Sequence, residues 1–595
     1  MVKKGKKAKH PAKSKAPEKK APAAPKPVAT EKGRAVEKSP VVEKAPALEK
    51  ATAPKTEERA LPATGGGRRP EHTEAKAQKV AGSKDVVQSK PMRLGIDFGT
   101  THTVVALVDR GNYPIVSFEH ADYVPSLVAA SDEGTLRFGA QAAAAASEPG
   151  WTILRSFKRH LVDAGPETEL QVGPRRMKVL DLFTAFLGHL RDELRLRSNA
   201  HLREKDRIEA AVSVPANASS AQRFLTVDAF RRAGFDVVAL LNEPSSAGFE
   251  YAHRFRETVT SKREYVLVYD LGGGTFDASL IKMEGKANEV VTSSGVSRLG
   301  GDDFDAAILE LALRKLSVEP TPQERFQLLE ECRLQKEALN PNTKRFVLDL
   351  TPLGKRDPLV LPIDEVYEAC APLVDQTVAA MEPAMRDPRR EDKDVDWNEL
   401  AGIYVVGGAS SFPAVYRALR ERFGTHRVRR SPHAFGSTAI GLAITLDLHA
   451  GYSLTERLTR HFGVFREAER GSEVTFDVLI PKDAQLPAYG DPPLTITRKY
   501  RAAHNLGHFR FVECARVEAG RPEGNLALWD EVLFPFDPGL RGRDLARVPV
   551  ARLPGEGPRI EEIVRCGAAG ELEVELKNLD DGYHSSVRIG RRGAA

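Results

Sequence analysis

Two stretches written almost alike, "GIDFGTTHT" at residues 95–103 and "VYDLGGGTFD" at 268–277, restrict this chain more than anything else in it. Each places an Asp-x-Gly turn after one apolar run and before another, so each reads as strand, turn, strand. Aligned on their carboxylates, Asp97-Phe98-Gly99-Thr100-Thr101 matches Asp270-Leu271-Gly272-Gly273-Gly274-Thr275. Three consecutive glycines surrender burial and cost conformational entropy, which makes sense where backbone must turn sharply or another group must come close. Taken singly, such a turn is equally well a plain hairpin, because Gly-Gly is a common strand connector. Two copies about 170 residues apart imply a repeated unit with a physical use. Each turn can aim backbone N–H groups and a hydroxyl at phosphate oxygens, while its Asp accepts hydrogen bonds from waters on Mg²⁺. Side chains at 272–274 would then fill the space the phosphates need.

A third glycine turn follows at "GIYVVGGASSFPAVYRALRERF", residues 402–423. It reads as a buried strand, a Gly407-Gly408 turn and a helix with Val415, Leu419 and Phe423 on one face. By itself this is a tight strand-to-helix connection. Beside two phosphate turns, it is a place where a nucleoside can lie flat against backbone.

Composition sets the surroundings. At 595 residues the chain holds roughly three or four domain-sized units. Residues 1–90 carry about 23 Lys/Arg against 10 Asp/Glu, so the overall charge of +6 belongs to this Ala/Pro/Lys-rich tail and the remainder is acidic. Nearly free of aromatics, residues 1–91 cannot bury enough surface to offset the entropy of ordering and are expected to be disordered. Their charge suits weak contact with nucleic acid or acidic surfaces; a solubilising extension is the alternative. The tail has no apolar stretch typical of a secretory signal, and no run reaches membrane-span length. Cys332, Cys370, Cys514 and Cys566 are scattered without CxxC spacing, so no zinc site or disulfide framework is expected, and a cytoplasmic setting fits.

The order "GIDFGTTHT", "AAVSVPANASSAQRFLTVDAFRRAGFDVVALLNEPSSAGFEYA", "YDLGGGTFDASLI", "RLGGDDFD" and "VVGGASSFP" resembles the nucleotide-binding domain of the seventy-kilodalton heat-shock chaperones, the DnaK family. The resemblance implies a two-lobed, actin-like ATPase domain of duplicated ribonuclease-H-like units over residues 92–445. A linker at 446–456 and a β-sandwich, substrate-binding-like domain at 457–592 would follow. It implies ATP or ADP and Mg²⁺ as ligands, with Asp97 and Asp270 fixing the metal through water. Lys158 would orient the attacking water beside Glu243, and Thr275 would hold the γ-phosphate. Gly99, Thr100, Thr101, Gly272, Gly273, Gly274, Gly301, Lys336, Gly407 and Gly408 would complete the nucleotide site. Pro215 and Arg223 match positions that relay nucleotide state to the neighbouring domain in relatives.

The sequence also departs from that family. Arg333 stands where a glutamate is usual, Asn340 where a serine is, Ala409 for a serine and Ser411 for an arginine. The family's acid-flanked run of leucines has only Leu446, Asp447 and Leu448 as its echo, and no helical lid is expected after the strands. Past residue 445, "SEVTFDVLIPKDAQLP", "PLTITRKY", "HFRFVECARV" and "GELEVELKNL" alternate with the period of half-buried strands. "RPEGNLALWDEVLFPFDPGLRGRD" finds no counterpart. The expected activity is slow ATP hydrolysis by a chaperone-like protein holding unfolded or extended polypeptide in its β domain, with co-chaperones or an exchange factor as partners. Alternatives are a nucleotide-dependent scaffold or switch with little hydrolysis, and an actin-like filament former.

Overall fold

The structure, a computed structural model, describes residues 91–588 apart from 120, 166, 388–389, 391–393, 469–470, 472, 488–490 and 525. The basic tail therefore lies outside the described residues.

The two glycine turns join the central strands of two sheets. In the first, β1 (Met92–Phe98) and β2 (His102–Leu107) pair antiparallel. With β3 (Val124–Pro125), β4 (Ile208–Val214) and β5 (Asp236–Asn242) the order is β5-β4-β1-β2-β3. The second holds β6 (Tyr265–Leu271), β7 (Phe276–Glu284), β8 (Ala287–Val296), β9 (Leu400–Val406) and β10 (Val428–Arg430), in the order β10-β9-β6-β7-β8. The connectivity is the same in both: a hairpin, then two parallel strands added on the side of its first strand. The second sheet carries one further edge strand, β11 (Ser453–Thr455), parallel to β8.

Helices cover both faces, so the central strands are apolar throughout rather than alternating with polar residues. Along β6, Tyr265, Leu267 and Tyr269 enter one core while Val266 and Val268 enter another, the two-residue period splitting one strand between two faces. Likewise Leu94, Ile96 and Phe98 of β1 meet α1 (Val179–Leu196), whose Phe183, Phe186 and Leu190 recur at helical spacing. The helix α2 (Ser220–Arg232) starts with a capping box: Ser219 Oγ accepts from Gln222 N, and Gln222 Oε1 from Ser219 N.

Between the sheets lie α3 (Glu243–Arg254) and, later in the chain, α8 (Ser437–Leu446). A Cβ at Gly441 would stand 1.7 Å from the Ser246 carbonyl oxygen, so the two helices touch backbone to backbone. The second sheet is flanked by α4 (Gly301–Leu316), α5 (Pro322–Glu337), α6 (Ile363–Met381) and α7 (Pro413–Phe423). On α7, Val415 and Leu419 are fully buried and Phe423 stacks on Trp397.

Two four-stranded antiparallel sheets follow. One, in the order β13-β12-β15-β16, contains β12 (His461–Ala468), β13 (Glu473–Ile480), β15 (Leu506–Cys514) and β16 (Ala527–Pro535). The other runs β14-β17-β18-β19, from β14 (Leu494–Arg501), β17 (Arg559–Cys566), β18 (Leu572–Asn578) and β19 (His584–Arg588). Phe462, Phe511 and Phe534 from one sheet share a core with Ile560, Val564 and Val574 from the other, the packing of a β-sandwich. The stretch without a counterpart in the sequence reading supplies β16. The expected linker, residues 446–456, begins at the end of α8 and contains β11. Leu446 is the buried last residue of α8 and Asp447 accepts a hydrogen bond from Tyr113 Oη (3.1 Å), whereas the segment that docks as a strand is Ser453–Thr455.

Candidate functional site

The hairpin turns of the two sheets face one another. Gly99 N–H bonds the His102 carbonyl (3.1 Å) and Gly272 N–H the Thr275 carbonyl (3.0 Å), closing each turn. A Cβ at Gly273 would stand 2.5 Å from Thr101 Oγ1, and one at Gly274 would stand 2.7 Å from Thr100 Oγ1 and 2.8 Å from Arg159 Nε. Two of the three glycines are thus required by the opposite lobe; Gly272 meets only ordinary contacts near 3.5 Å. Helix α4 reinforces the turn, with Gly301 N–H donating to Gly272 O (3.0 Å) and Asp302 N–H to Gly273 O (2.9 Å).

Around these turns opens a cleft with a cavity of about 260 Å³. Asp97, Gly99, Thr100, Thr101, Lys158, Glu243, Asp270, Gly272, Gly273, Thr275, Gly301, Lys336, Gly407 and Gly408 all line it. Gly274 stays off the wall, packed against Thr100 and Arg159. Pro215 and Arg223 lie outside it; Arg223 is buried and donates to Asn242 Oδ1.

At the floor, Lys158 Nζ donates to Glu243 Oε1 at 2.7 Å and lies 5.6 Å from the Phe98 ring centre. Lys158 comes from the 3₁₀ turn Phe157–Asp163, and Glu243 is the first residue of α3. Asp97 accepts from Ser213 Oγ (3.0 Å). Nearby Asp277 accepts from the backbone N–H of Ala216 (3.0 Å). One lysine thus faces four buried or nearly buried carboxylates, and their titration registers the imbalance. Burial, then Glu243, raises Asp97 to about 7 and Asp277 to about 8; burial, Glu243 and Asp97 hold Asp270 well above the ordinary range. Burial alone would lower Lys158, but Glu243 and Asp97 keep its ammonium above the usual lysine value.

This surplus of negative charge on buried carboxylates suits a divalent cation. Among the described residues no three His, Cys, Asp or Glu side chains cluster closely enough to cage one.

Toward the other end, Lys336 Nζ bonds Asp305 Oδ1 and Gly301 O, both at 2.7 Å. Gly407 has φ +82°, and a Cβ there would strike Leu271 O at 2.3 Å and Asp270 Oδ1 at 2.5 Å. A Cβ at Gly408 would meet nothing within 4 Å, so its backbone faces open space. Arg333 pairs with Glu330 (3.1 Å) and Glu337 (3.2 Å), and Ser411 and Ala409 line the same end. Asn340 does not line the cleft; its N–H bonds Thr343 Oγ1 and its Oδ1 accepts from Asn342 N–H.

Several residues at the site were not singled out from sequence. Asp277 and Asp305 lie inside the quoted "GGGTFD" and "GGDDFD" segments; two residues beyond Thr275 on a strand, Asp277 had a positional signal. His102, against the Tyr123 ring at 4.1 Å, lines the cleft and is lowered by burial to about 4. Arg159 forks onto Asp303 across the mouth (Nη2 to Oδ2 2.6 Å, Nη1 to Oδ1 3.4 Å), beside a Ser156–Asp302 hydrogen bond and an Arg155–Glu330 ion pair. Their partners are about 145–175 residues away in sequence, beyond the reach of any local pattern.

A second polar layer joins the first lobe to the β-sandwich. Ser220 donates through both its N–H (3.2 Å) and its hydroxyl to Glu513, which also faces Arg460 (3.5 Å). Asn242 N–H donates to Glu456 (2.9 Å), just after β11.

Comparison with known proteins gives a consistent picture. Residues 185–459 match the family described as Hsp70 protein. The chain is 32% identical over 393 residues to the chaperone protein HscA homolog of Bordetella petrii, covering 63% of this chain and 60% of that one. It is 33% identical over 382 residues to the homolog of Burkholderia cenocepacia (60% and 59%) and 30% identical over 391 residues to that of Cupriavidus necator (62% and 60%). The chain thus spans about three fifths of the length of these relatives.

Proposed function

We propose that the chain, whose residues 185–459 match the Hsp70 family and which is 32% identical to an HscA homolog, is a member of that family that binds ATP or ADP with Mg²⁺ between its two lobes and hydrolyses ATP slowly. We further propose that it couples this cycle to extended polypeptide held in the β-sandwich. The observation carrying the reading is that two Asp-x-Gly turns from separate sheets face each other over a buried surplus of carboxylates.

Phosphoryl transfer to water depends on positioning and charge stabilisation, not on a covalent intermediate. Mg²⁺, when bound, would neutralise charge on the phosphates, and Asp97 and Asp270 would hold it through water. The turns present backbone N–H groups and the Thr100, Thr101 and Thr275 hydroxyls to phosphate oxygens. Lys158, fixed by Glu243, balances the charge of the terminal phosphate and orients the attacking water, and Glu243 accepts that water's hydrogen bond. Lys336 and the open backbone at Gly407-Gly408 receive the nucleoside.

Four free cysteines support a reducing cytoplasmic setting, and no described helix is long and apolar enough to cross a membrane. The test is steady-state ATP hydrolysis with and without an extended apolar peptide. Lys158→Ala should lower kcat by about 10²-fold or more while nucleotide still binds; hydrolysis unchanged in that variant would refute the assignment. The polar ties from Ser220 to Glu513 and from Asn242 to Glu456 favour a second reading, a nucleotide-driven switch that seldom turns over. Nucleotide-dependent protease sensitivity without hydrolysis would select it.

A further inference from the structure

One edge of the second sheet is formed by β10, which follows α7 directly in the chain. Between residues 417 and 430 this helix and strand carry six arginines, no lysine and a single acid, Glu421, although the chain beyond residue 90 is acidic on balance. Such a local reversal of sign concentrates positive potential on one face.

Among the described residues Arg422 meets a carboxylate, Glu382 (2.5 Å), and the other five arginines have only neutral partners. Arg417 lies over the Tyr367 ring (5.1 Å to its centre), Arg420 over Tyr416 (5.3 Å) and Arg429 over Phe255 (5.7 Å). Arg427 donates to Asn398 Oδ1 (2.8 Å) and Arg430 to the Ser411 hydroxyl. Tyr416, exposed Arg420 and Phe423 recur at helical spacing, so they share the α7 face that Tyr416 Oη ties to Val428 O (3.3 Å). At the end of that face Phe423 stacks on Trp397 (4.7 Å between centres, 28° between planes), and both rings are part-exposed. They wall a concavity of about 370 Å³ together with Arg422, Arg427 and Glu382.

We propose that this edge binds single-stranded nucleic acid, with phosphates on Arg420 and Arg427 and a base in the concavity against the Trp397 and Phe423 rings. Two features select that ligand. The cations are all guanidinium groups, planar forks that match phosphate oxygens in a way the ammonium of lysine does not. The stacked rings beside them offer a π-face, which any unpaired base can cover. An acidic peptide would answer the charge but leave those rings without a role. The proposal does not depend on the nucleotide chemistry of the cleft.

The test uses the full chain and an oligothymidylate of about 12 nucleotides, within the span such grooves hold. Binding is followed by tryptophan fluorescence at about 50 mM salt, where screening is weak. Residues 1–90 contain no tryptophan, so the signal reports the rest of the chain. The oligonucleotide should quench Trp397, and Trp397→Phe, which keeps a ring on Phe423, should remove that quench while Trp151 and Trp529 still emit. Arg420→Glu with Arg427→Glu should weaken binding by about tenfold or more. Since Arg427 also holds Asn398, Arg420→Ala carries the test if the double variant misfolds, and it should lower the salt slope by about 0.7, the share of one phosphate on a single strand. The exposed pair Lys344→Glu with Lys355→Glu should change affinity less than about twofold. Oligouridylate run alongside tells RNA from DNA. Absence of quenching in the unaltered chain, or an equal loss in the lysine pair, would overturn the proposal. Hexaglutamate that binds the same face more tightly than either oligonucleotide would overturn the assignment to nucleic acid.

Discussion

At the scale of single residues, the two glycines at 273 and 274 are the clearest constraint, because each stands where a side chain would enter the opposite lobe. Gly273→Ala places a methyl 2.5 Å from Thr101 Oγ1, and the lobes must part to admit it. Nucleotide affinity, measured by isothermal titration, should fall by about tenfold or more, since turn N–H groups no longer converge. Asp277 gives a second test. Its carboxyl titrates near 8 in the fold because burial comes first and Glu243 second, whereas the unfolded chain ionises near 4. The folded state therefore retains the proton longer. Its stabilising share is complete below about pH 4 and is lost as pH rises through about 8. Urea unfolding without nucleotide across that window should show stability declining with pH, and Asp277→Asn should flatten the decline. A steeper decline in the variant would contradict the assignment. Asp277 was within sight in the sequence, two positions beyond Thr275, but its neighbours Glu243 and Ala216 come from other elements, and only the fold shows why it titrates so high.

At the scale of elements, the cleft mouth is tied by the 3₁₀ turn Phe157–Asp163 of one lobe and by α4 and α5 of the other. Arg159 forks onto Asp303, a planar donor pair matched to a carboxylate that lysine cannot reproduce. Arg159→Gln should speed release of a fluorescent nucleotide in stopped-flow by about tenfold, with single-turnover hydrolysis little changed. Equal losses in both would instead make Arg159 part of the chemistry. Elements were legible wherever composition follows period. The apolar runs of β1 and β6, the α7 stripe of Val415 and Leu419, and four strands of the sandwich all follow spacing alone. Two were not. In β16 the charged pair Asp530-Glu531 interrupts alternation within Ala527–Pro535. In the connecting segment, Leu446-Asp447-Leu448 drew attention although Ser453–Thr455 pairs with β8. A three-residue strand whose partner lies about 165 positions earlier leaves no periodic trace.

For the whole molecule, the lobes and the sandwich share a contact that is polar and buried. Glu513 is 4% exposed and accepts from both the N–H and the hydroxyl of Ser220, at the first turn of α2. Glu513→Ala leaves those donors without their acceptor, and an unsatisfied buried group costs about 1–3 kcal/mol. Limited proteolysis should then cut near residues 446–460 faster, while each part keeps its own unfolding transition. If cleavage there is unaltered, the contact does not hold the domains together. Nothing in the sequence announced this pairing, since serine and glutamate nearly 300 positions apart carry no mutual signal. The architecture of two glycine-turned sheets followed by paired β-sheets could be anticipated, whereas the surfaces on which those parts meet could not.

The meeting of α3 and α8 at Gly441 has a mechanical corollary. Where two rods bear directly on each other's main chain, with no side chains between them, one can roll or slide over the other but cannot approach further. Any opening of the lobes would then resemble the motion of a bearing about a fixed contact. A small tilt at the end of the glycine turns would reappear as a displacement at the opposite end, where Ser453–Thr455 lies along the second sheet.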